Sequence, residues 1–205
     1  MRRLVIGLIL LAAAAAVAAG VAHWAAPLFA GGGGPSWYTK TVYPLSYTAA
    51  IRAGAARYDL DPALVAAVVY AESKFDEHAR SSAGAVGLMQ ILPDTADQIA
   101  DQSGGVTFTA ADLENPRINV RYGSYYLRQA LDAFDGDVCA AVASYNAGMG
   151  VVGEWVKQAH AEGHGLRLKD IPYPETRAYV QKVLEARRVY REEYGDRLGT
   201  ASGSH

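Results

Sequence analysis

"LDPALVAAVVYAESKF", residues 60–75, reads as a helix with a well-defined start and an anomalous end. Asp61 is a good N-cap and Pro62 a good first helical residue, because the first turn leaves its N–H groups unpaired in any case. Leu64, Val65, Val68 and Val69 then recur at helical spacing as an apolar stripe. Glu72 falls four residues after Val68 and three after Val69, so the helix carries its apolar face straight onto a carboxyl group. The last turn of a helix disfavours negative charge, and desolvation acts in the same direction. A carboxyl in that setting keeps its proton near neutral pH and can act as a general acid. The competing reading is a glutamate at a frayed helix end, pointing into water.

Helix signals dominate on either side of this stretch. Residues 46–58 place Tyr47, Ile51, Ala55 and Tyr58 on one face. Pro93 with Asp94 or Thr95 opens a short helix that ends before Gly104. Asn115 and Pro116 repeat the cap-plus-proline start, and Gly123 allows a close helix contact within the helix that follows. Asp137 caps a small-residue, buried helix, and another helix covers residues 151–160. The last helix runs from about Glu175 to Tyr194 and is amphipathic through Tyr179, Val183, Leu184 and Tyr190. Alternating strand patterns are scarce, so a mostly α globule is expected, with at most a short β-hairpin within residues 103–113.

At 205 residues the chain is long enough for one substantial core. Half of its residues are apolar and a fifth charged, which is a globular rather than a disordered composition. A formal charge of -2 excludes broad nucleic-acid binding, which needs a basic surface. Cys139 is the one cysteine, so no intrachain disulfide forms, and it reads as a small buried apolar side chain. His23, His78, His160, His164 and His205 show no metal-ligand spacing, and "DAFDGD" lacks the length of a calcium loop. No metal or cofactor is expected.

The N-terminus carries the targeting signal. Arg2 and Arg3 precede "LVIGLILLAAAAAVAAGVA", residues 4–22, an uncharged run long enough to cross a ~30 Å hydrocarbon core. The run exceeds the h-region of a cleavable signal peptide, and the two arginines place the rest of the chain outside the cytoplasm. The expected organisation is a membrane anchor or signal segment over 1–30, a Gly-rich linker over 31–39, a folded domain over 40–195 and a disordered tail over 196–205. A single-pass membrane protein follows, the alternative being secretion after cleavage near Ala18 to Ala22.

Three further stretches offer polar side chains for a cleft. "SSAGAVGLMQILP", residues 81–93, has Gly84 and Gly87 for close backbone approach, and Gln90 is the only strongly polar side chain in its second half. Gln90 suits either a ligand or a hydrogen bond to loop backbone. Ser81 and Ser82 suit a turn equally well. In "ASYNAG", residues 143–148, Tyr145 beside Asn146 would hold a sugar by ring and amide, although a helix C-cap accounts for the same residues. Glu175 in "YPETRAYV" stands near a helix start, where a carboxylate compensates the dipole. Asp76 and Glu77 are expected to face solvent.

Taken in order, "ESKF" with "SSAGAVGLMQILPDTA", "LENPRINVRYGSYYL", "ASYNAGMGVV" and "IPYPETRAYVQKVL" resemble the soluble-lytic-transglycosylase-like (SLT) catalytic domain of the lysozyme-like superfamily, over roughly residues 45–190. The resemblance implies a helical lysozyme-like fold. It also implies cleavage of the β-1,4 bond between N-acetylmuramic acid and N-acetylglucosamine in peptidoglycan glycan strands without a cofactor; a monomer is expected. It makes Glu72 the catalytic acid and Ser73 the residue that orders its turn. Ser81 becomes a contact to the acetamido group, Gln90, Leu92, Tyr145 and Asn146 cleft residues, and Glu175 a carboxylate reaching the site. Leu92 stands where relatives often carry Met, and "MG" at Met149 and Gly150 replaces the commoner "PG". A single acid suffices in such a family, whereas ordinary glycosidases use two carboxylates. The alternatives are a muramidase that uses water and a catalytically silent peptidoglycan-binding module.

Overall fold

The computed structural model describes residues 36–102 and 110–200, and the chain divides into two compact units at Val42 and Tyr43. The first unit contains helix α1 (Ser36–Val42). The stretch expected as a linker is therefore helical from Ser36 onward, because its helix-breaking glycines are confined to positions 31–34. The apolar run over 4–22 lies outside the described residues. Among the described residues, no helix is long and apolar enough to cross a membrane.

The second unit is built from helices α2 (Thr48–Arg57), α3 (Pro62–Ser73), α4 (Pro93–Gln102), α5 (Pro116–Ala133), α6 (Val138–Ala147), α7 (Met149–Ala161) and α8 (Pro174–Leu198). Short 3₁₀ turns occupy Ala110–Glu114 and Leu168–Asp170. The hairpin expected within 103–113 falls mostly outside the described residues, and its last part belongs to the first of these turns. Two isolated antiparallel bridges, Arg80 with Val86 and Val86 with Ile91, are the only β pairing among the described residues.

Helix α3 is the centre of the unit. Ala63 through Val69 are buried without interruption, so the expected one-sided stripe is in fact a helix enclosed all round. Small alanines at 63, 66 and 67 let neighbours approach closely on the faces where a surface helix would turn to water. Its most extensive partner is α8, which buries Val180, Val183, Ala186, Val189 and Tyr190. The expected end of α8 near Tyr194 is too early. The helix continues to Leu198, whose side chain is 1% exposed, and stops at Gly199 in the left-handed conformation (φ 73°). Residues 196–198 of the expected tail are thus helical, and Leu198 packs in the core while Asp196 and Arg197 stay exposed.

Local caps fix where the helices begin. Asp61 Oδ1 accepts from Ala63 N at 3.0 Å, Asn115 Oδ1 from Arg117 N at 3.0 Å, and Asp137 Oδ1 from Ala140 N at 3.0 Å. Asp61 also ties α3 to α8, its Oδ2 accepting from Arg187 Nε at 2.7 Å and Arg191 Nε at 3.0 Å. Cys139, expected to be buried, is half-buried on α6, and burial with nearby Asp137 and Asp170 pushes its thiol up to about 11.

The loop over 79–92 is held on α5 by one buried amide. Asn119 Nδ2 donates to Val86 O (2.8 Å) and Leu113 O (2.9 Å), while its Oδ1 accepts from Met89 N (2.7 Å). Gly87 (φ 78°) leaves room for that amide, since a Cβ there would fall on the Asn119 side chain and 2.8 Å from the Leu113 carbonyl. Gly123 makes its close contact with the Met89 side chain of this loop, not with another helix. The loop is thereby a fixed wall beside the end of α3.

Candidate active site

Glu72 occupies the last turn of α3, which ends at Ser73. Lys74 (φ 52°) and Phe75 (φ 68°) follow in the left-handed region, a conformation that non-glycine residues adopt only when their surroundings hold them. Ser73 helps hold them, because its Oγ lies 3.2 Å from Val69 O and 2.9 Å from Leu88 O, fastening the helix end to the loop wall. From α8, Lys182 Nζ donates to Ala71 O at 2.8 Å, so the same turn is gripped from a second direction.

The Glu72 side chain is half-buried and does not point into bulk water. Tyr179 of α8 donates its hydroxyl to Glu72 Oε1 at 2.6 Å. Burial dominates the carboxyl's acidity and raises its pKa above the ordinary carboxylate value, while the Tyr179 hydrogen bond and the Lys182 charge pull it back down. Burial and the neighbouring Glu72 charge raise the Tyr179 hydroxyl well above its usual range, so it remains a donor. Asp76 is exposed and accepts from His78 N at 2.9 Å, and Glu77 lies 3.7 Å from His78. Among the described residues no second carboxylate contacts Glu72.

A cavity of about 330 Å³ lies between the 79–92 loop, α5 and the end of α6, lined by residues that include Gln90, Leu92, Tyr126, Tyr145, Asn146 and Gly148. Tyr145 links it to the acid: it lines the cavity, and burial, with the Glu72 charge adding to it, raises its hydroxyl well above the usual range. Tyr145 OH donates to Met89 O at 3.0 Å, and its ring meets Tyr126 edge-on at 5.4 Å. Asn146 is exposed at the end of α6, where its Oδ1 accepts from Thr176 Oγ1 at 2.8 Å, which leaves Nδ2 to donate. The helix cap is supplied by Gly148 (φ 87°), not by Asn146. Gln90 (φ 47°) lines the cavity, but its Nε2 is occupied by Ala79 O (3.1 Å) and Gly87 O (2.9 Å). Its backbone reading therefore holds for the nitrogen, and only the amide oxygen is left for a ligand. Leu92 is 41% exposed at the cavity wall.

Two expected site residues stand apart. Ser81 is exposed, and its hydroxyl accepts from Ala85 N at 3.0 Å within its own turn. Glu175 is exposed in the first turn of α8 and makes no contact with Glu72. The side chain of α8 that does reach Glu72 is Tyr179, one helical turn further along the same face. Tyr179, Lys182, Tyr126 and Thr176 were not legible as site residues. Tyr179 and Lys182 share a face at i, i+3 spacing, which was the available signal, but Tyr179 also fits the apolar stripe of α8 and reads there as core.

Solved lytic transglycosylases share this fold over most of the chain. A lytic transglycosylase Slt from Pseudomonas aeruginosa, solved as an inactive mutant, is 32% identical with a TM-score of 0.68, over 75% of this chain and 25% of that one. The 70 kDa soluble lytic transglycosylase of Escherichia coli gives 28% identity and a TM-score of 0.70, over 80% of this chain and 27% of that one. The family model described as Transglycosylase SLT domain matches residues 49–166, more than half of the chain, and the chain belongs to that family. Among curated relatives, a putative soluble lytic murein transglycosylase of Haemophilus influenzae is 31% identical over 72% of this chain and 25% of its own length. The membrane-bound lytic murein transglycosylase D of Escherichia coli K12 is 34% identical over 65% and 29% respectively. The chain spans about a quarter of the length of the soluble relatives it matches.

Proposed function

We propose that the second unit is a peptidoglycan lytic transglycosylase whose single catalytic group is Glu72. The observation that carries this reading is a half-buried carboxyl with raised pKa, hydrogen-bonded by Tyr179 and adjoining the cavity through Tyr145. A glycan strand lies in the cavity with a sugar face against the tyrosine rings and an acetamido or hydroxyl group at Asn146 Nδ2. Protonated Glu72 gives its proton to the glycosidic oxygen as the C1–O bond breaks. The substrate's own acetamido oxygen stabilises the positive charge that develops at the anomeric carbon. Ionised Glu72 then takes the proton of the C6 hydroxyl, whose oxygen forms the new bond to C1. The product is a 1,6-anhydromuramoyl end, and Glu72 regains its proton without consuming water. Because the attacking hydroxyl belongs to the same sugar, the closure is intramolecular and gains from high effective concentration.

The run over 4–22 would anchor this domain at the outer face of the cell membrane, where its polymer lies, and the domain would act there as a monomer. The decisive test is a digest of purified peptidoglycan analysed by mass. Anhydro ends are lighter by one water than the ends left by a hydrolase. Exclusive recovery of the heavier, reducing ends overturns the reading in favour of a muramidase.

A further inference from the structure

We propose that a second concavity, between α2 and α5 and remote from the cleft, binds the free carboxylates of peptide stems on the cell-wall polymer. Its volume is about 310 Å³, with Ala50, Gly54 and Ile118 forming an apolar floor and Arg57, Arg117 and Arg121 forming the rim. Tyr126 takes α5 into the cleft, and Arg117 and Arg121 lie roughly 140–180° around the helix from it at 100° per residue. The two concavities therefore open on different faces of α5.

Among the described residues the three exposed guanidinium groups join no ion pair, although Arg57 Nε donates to Tyr58 OH at 3.3 Å. Elsewhere Arg80, Arg128, Arg167, Arg187, Arg188 and Arg191 each stand against a carboxylate, whereas Arg177 is held on the Ile171 carbonyl and Arg197 lies over the Tyr194 ring. Two of the three rim arginines are laid on the rings of their neighbours, Arg57 at 5.7 Å from the Tyr58 centroid and Arg121 at 5.4 Å from the Tyr122 centroid. Helix stability does not explain the cluster. Arg117 sits in the first turn of α5, which contains no acidic residue, so its charge opposes the positive end of the helix dipole. On a chain of net charge -2, a concentrated and unpaired set of this kind is suited to an incoming anion. Planar guanidinium forks match planar carboxylates, and the small apolar floor accepts a methyl side chain beside them. The identity of the polymer rests on the transglycosylase reading, whereas the ligand chemistry rests on the groove itself.

The test uses the full chain carrying Glu72→Gln, which prevents turnover, and measures retention on peptidoglycan sacculi. Adding Arg57→Gln, Arg117→Gln and Arg121→Gln together should weaken retention roughly tenfold or more on stem-bearing sacculi, the scale expected for lost charge-assisted contacts. On glycan stripped of stems by an amidase, the two proteins should bind alike. An alanyl-alanine dipeptide should displace the Glu72→Gln protein from sacculi where the same concentration of inorganic phosphate does not, a measurement that needs no groove variant to fold. Unchanged retention in the triple variant, a deficit that persists on stripped glycan, or a deficit that vanishes only when phosphodiester polymers are removed would overturn the proposal. If the wild-type chain releases nothing from peptidoglycan yet the dipeptide still binds at the arginines, the transglycosylase reading fails and the groove stands.

Discussion

Replacing Tyr179 by Phe isolates one interaction of the candidate site. The variant keeps the ring packed in α8 and deletes the hydroxyl 2.6 Å from Glu72 Oε1. In the proposed reaction that hydroxyl matters most after the first proton leaves, when the carboxyl is ionised. A hydrogen bond to a charged group contributes about 1.5–3 kcal/mol, and water entering a half-buried site replaces part of it. Taking about 1.5 kcal/mol as the loss, and one decade of rate per ~1.4 kcal/mol, release of muropeptides should slow roughly tenfold. The pH profile should also change in a defined direction. Tyr179 stabilises the ionised carboxyl, so its loss raises the Glu72 pKa further, and the fall in activity on the alkaline side should move to higher pH. Assaying sacculus solubilisation across a pH series, with thermal melts to verify folding, gives both readouts. A folded variant with wild-type rate, or an alkaline limb displaced to lower pH, would refute the role given to this hydrogen bond.

Other perturbations follow from the same geometry. Glu72→Gln should abolish muropeptide release while keeping the fold. Because burial raises the Glu72 pKa in the folded protein, its stabilising contribution is present below the ordinary carboxylate range and lost as pH rises through the raised value. The Gln variant should therefore melt above wild type at neutral pH, and a lower melting temperature there would contradict the sign. Lys182→Met removes a charge that favours ionised Glu72, so its alkaline limb should also shift upward; an unmoved limb would show that Lys182 acts only through the Ala71 carbonyl. Asn119→Ala strands the Leu113 carbonyl and the Met89 N–H, while Val86 O keeps its bond from Ile91 N, and at ~1–3 kcal/mol per buried unsatisfied group it should lose at least about 2 kcal/mol in a denaturant titration. Asp61→Ala should lose about 1 kcal/mol for the cap and a similar amount for the part-exposed arginine pair, with the reaction products unchanged.

The helix starts were readable because capping is local chemistry. Asp61, Asn115 and Asp137 each bind a backbone N–H two or three residues on, so the sequence neighbour is also the structural neighbour. Glu72 was readable for a related reason, since the apolar face of its own helix leads to it. What failed to show were contacts across the chain. Tyr179 meets Glu72 from 107 positions away, and a tyrosine within an apolar stripe gives no sign of where its hydroxyl goes. Asn119 looks like an ordinary polar residue on an amphipathic helix, yet it is fully buried and clamps a loop some 30 residues upstream. That Tyr179 is the α8 side chain hydrogen-bonded to Glu72 has the same origin. Helical spacing put Glu175 and Tyr179 on one face, but only packing of α8 against α3 decides which turn lies level with the end of α3.

In the proposed reaction, that packing also bears on how one carboxyl serves twice. A group that donates a proton and then takes another back must not hold either state too firmly. Burial alone would lock Glu72 in its neutral form, a good donor and a poor acceptor. A close ion pair would lock it as a carboxylate, with the roles reversed. The structure sets opposed influences against each other: desolvation at the end of an enclosed helix, the largest, on one side, and a tyrosine hydroxyl and a lysine held on a backbone carbonyl on the other. Both counterweights come from α8, within one turn of each other, and Asp61 fastens that helix to the far end of α3. Relaxing this clamp should therefore alter the acid without touching it. In Arg187→Leu with Arg191→Leu, the pH profile should flatten or shift before stability is lost, and a profile that superimposes on wild type up to the melting transition would show that α8 sets the acidity through local contacts alone.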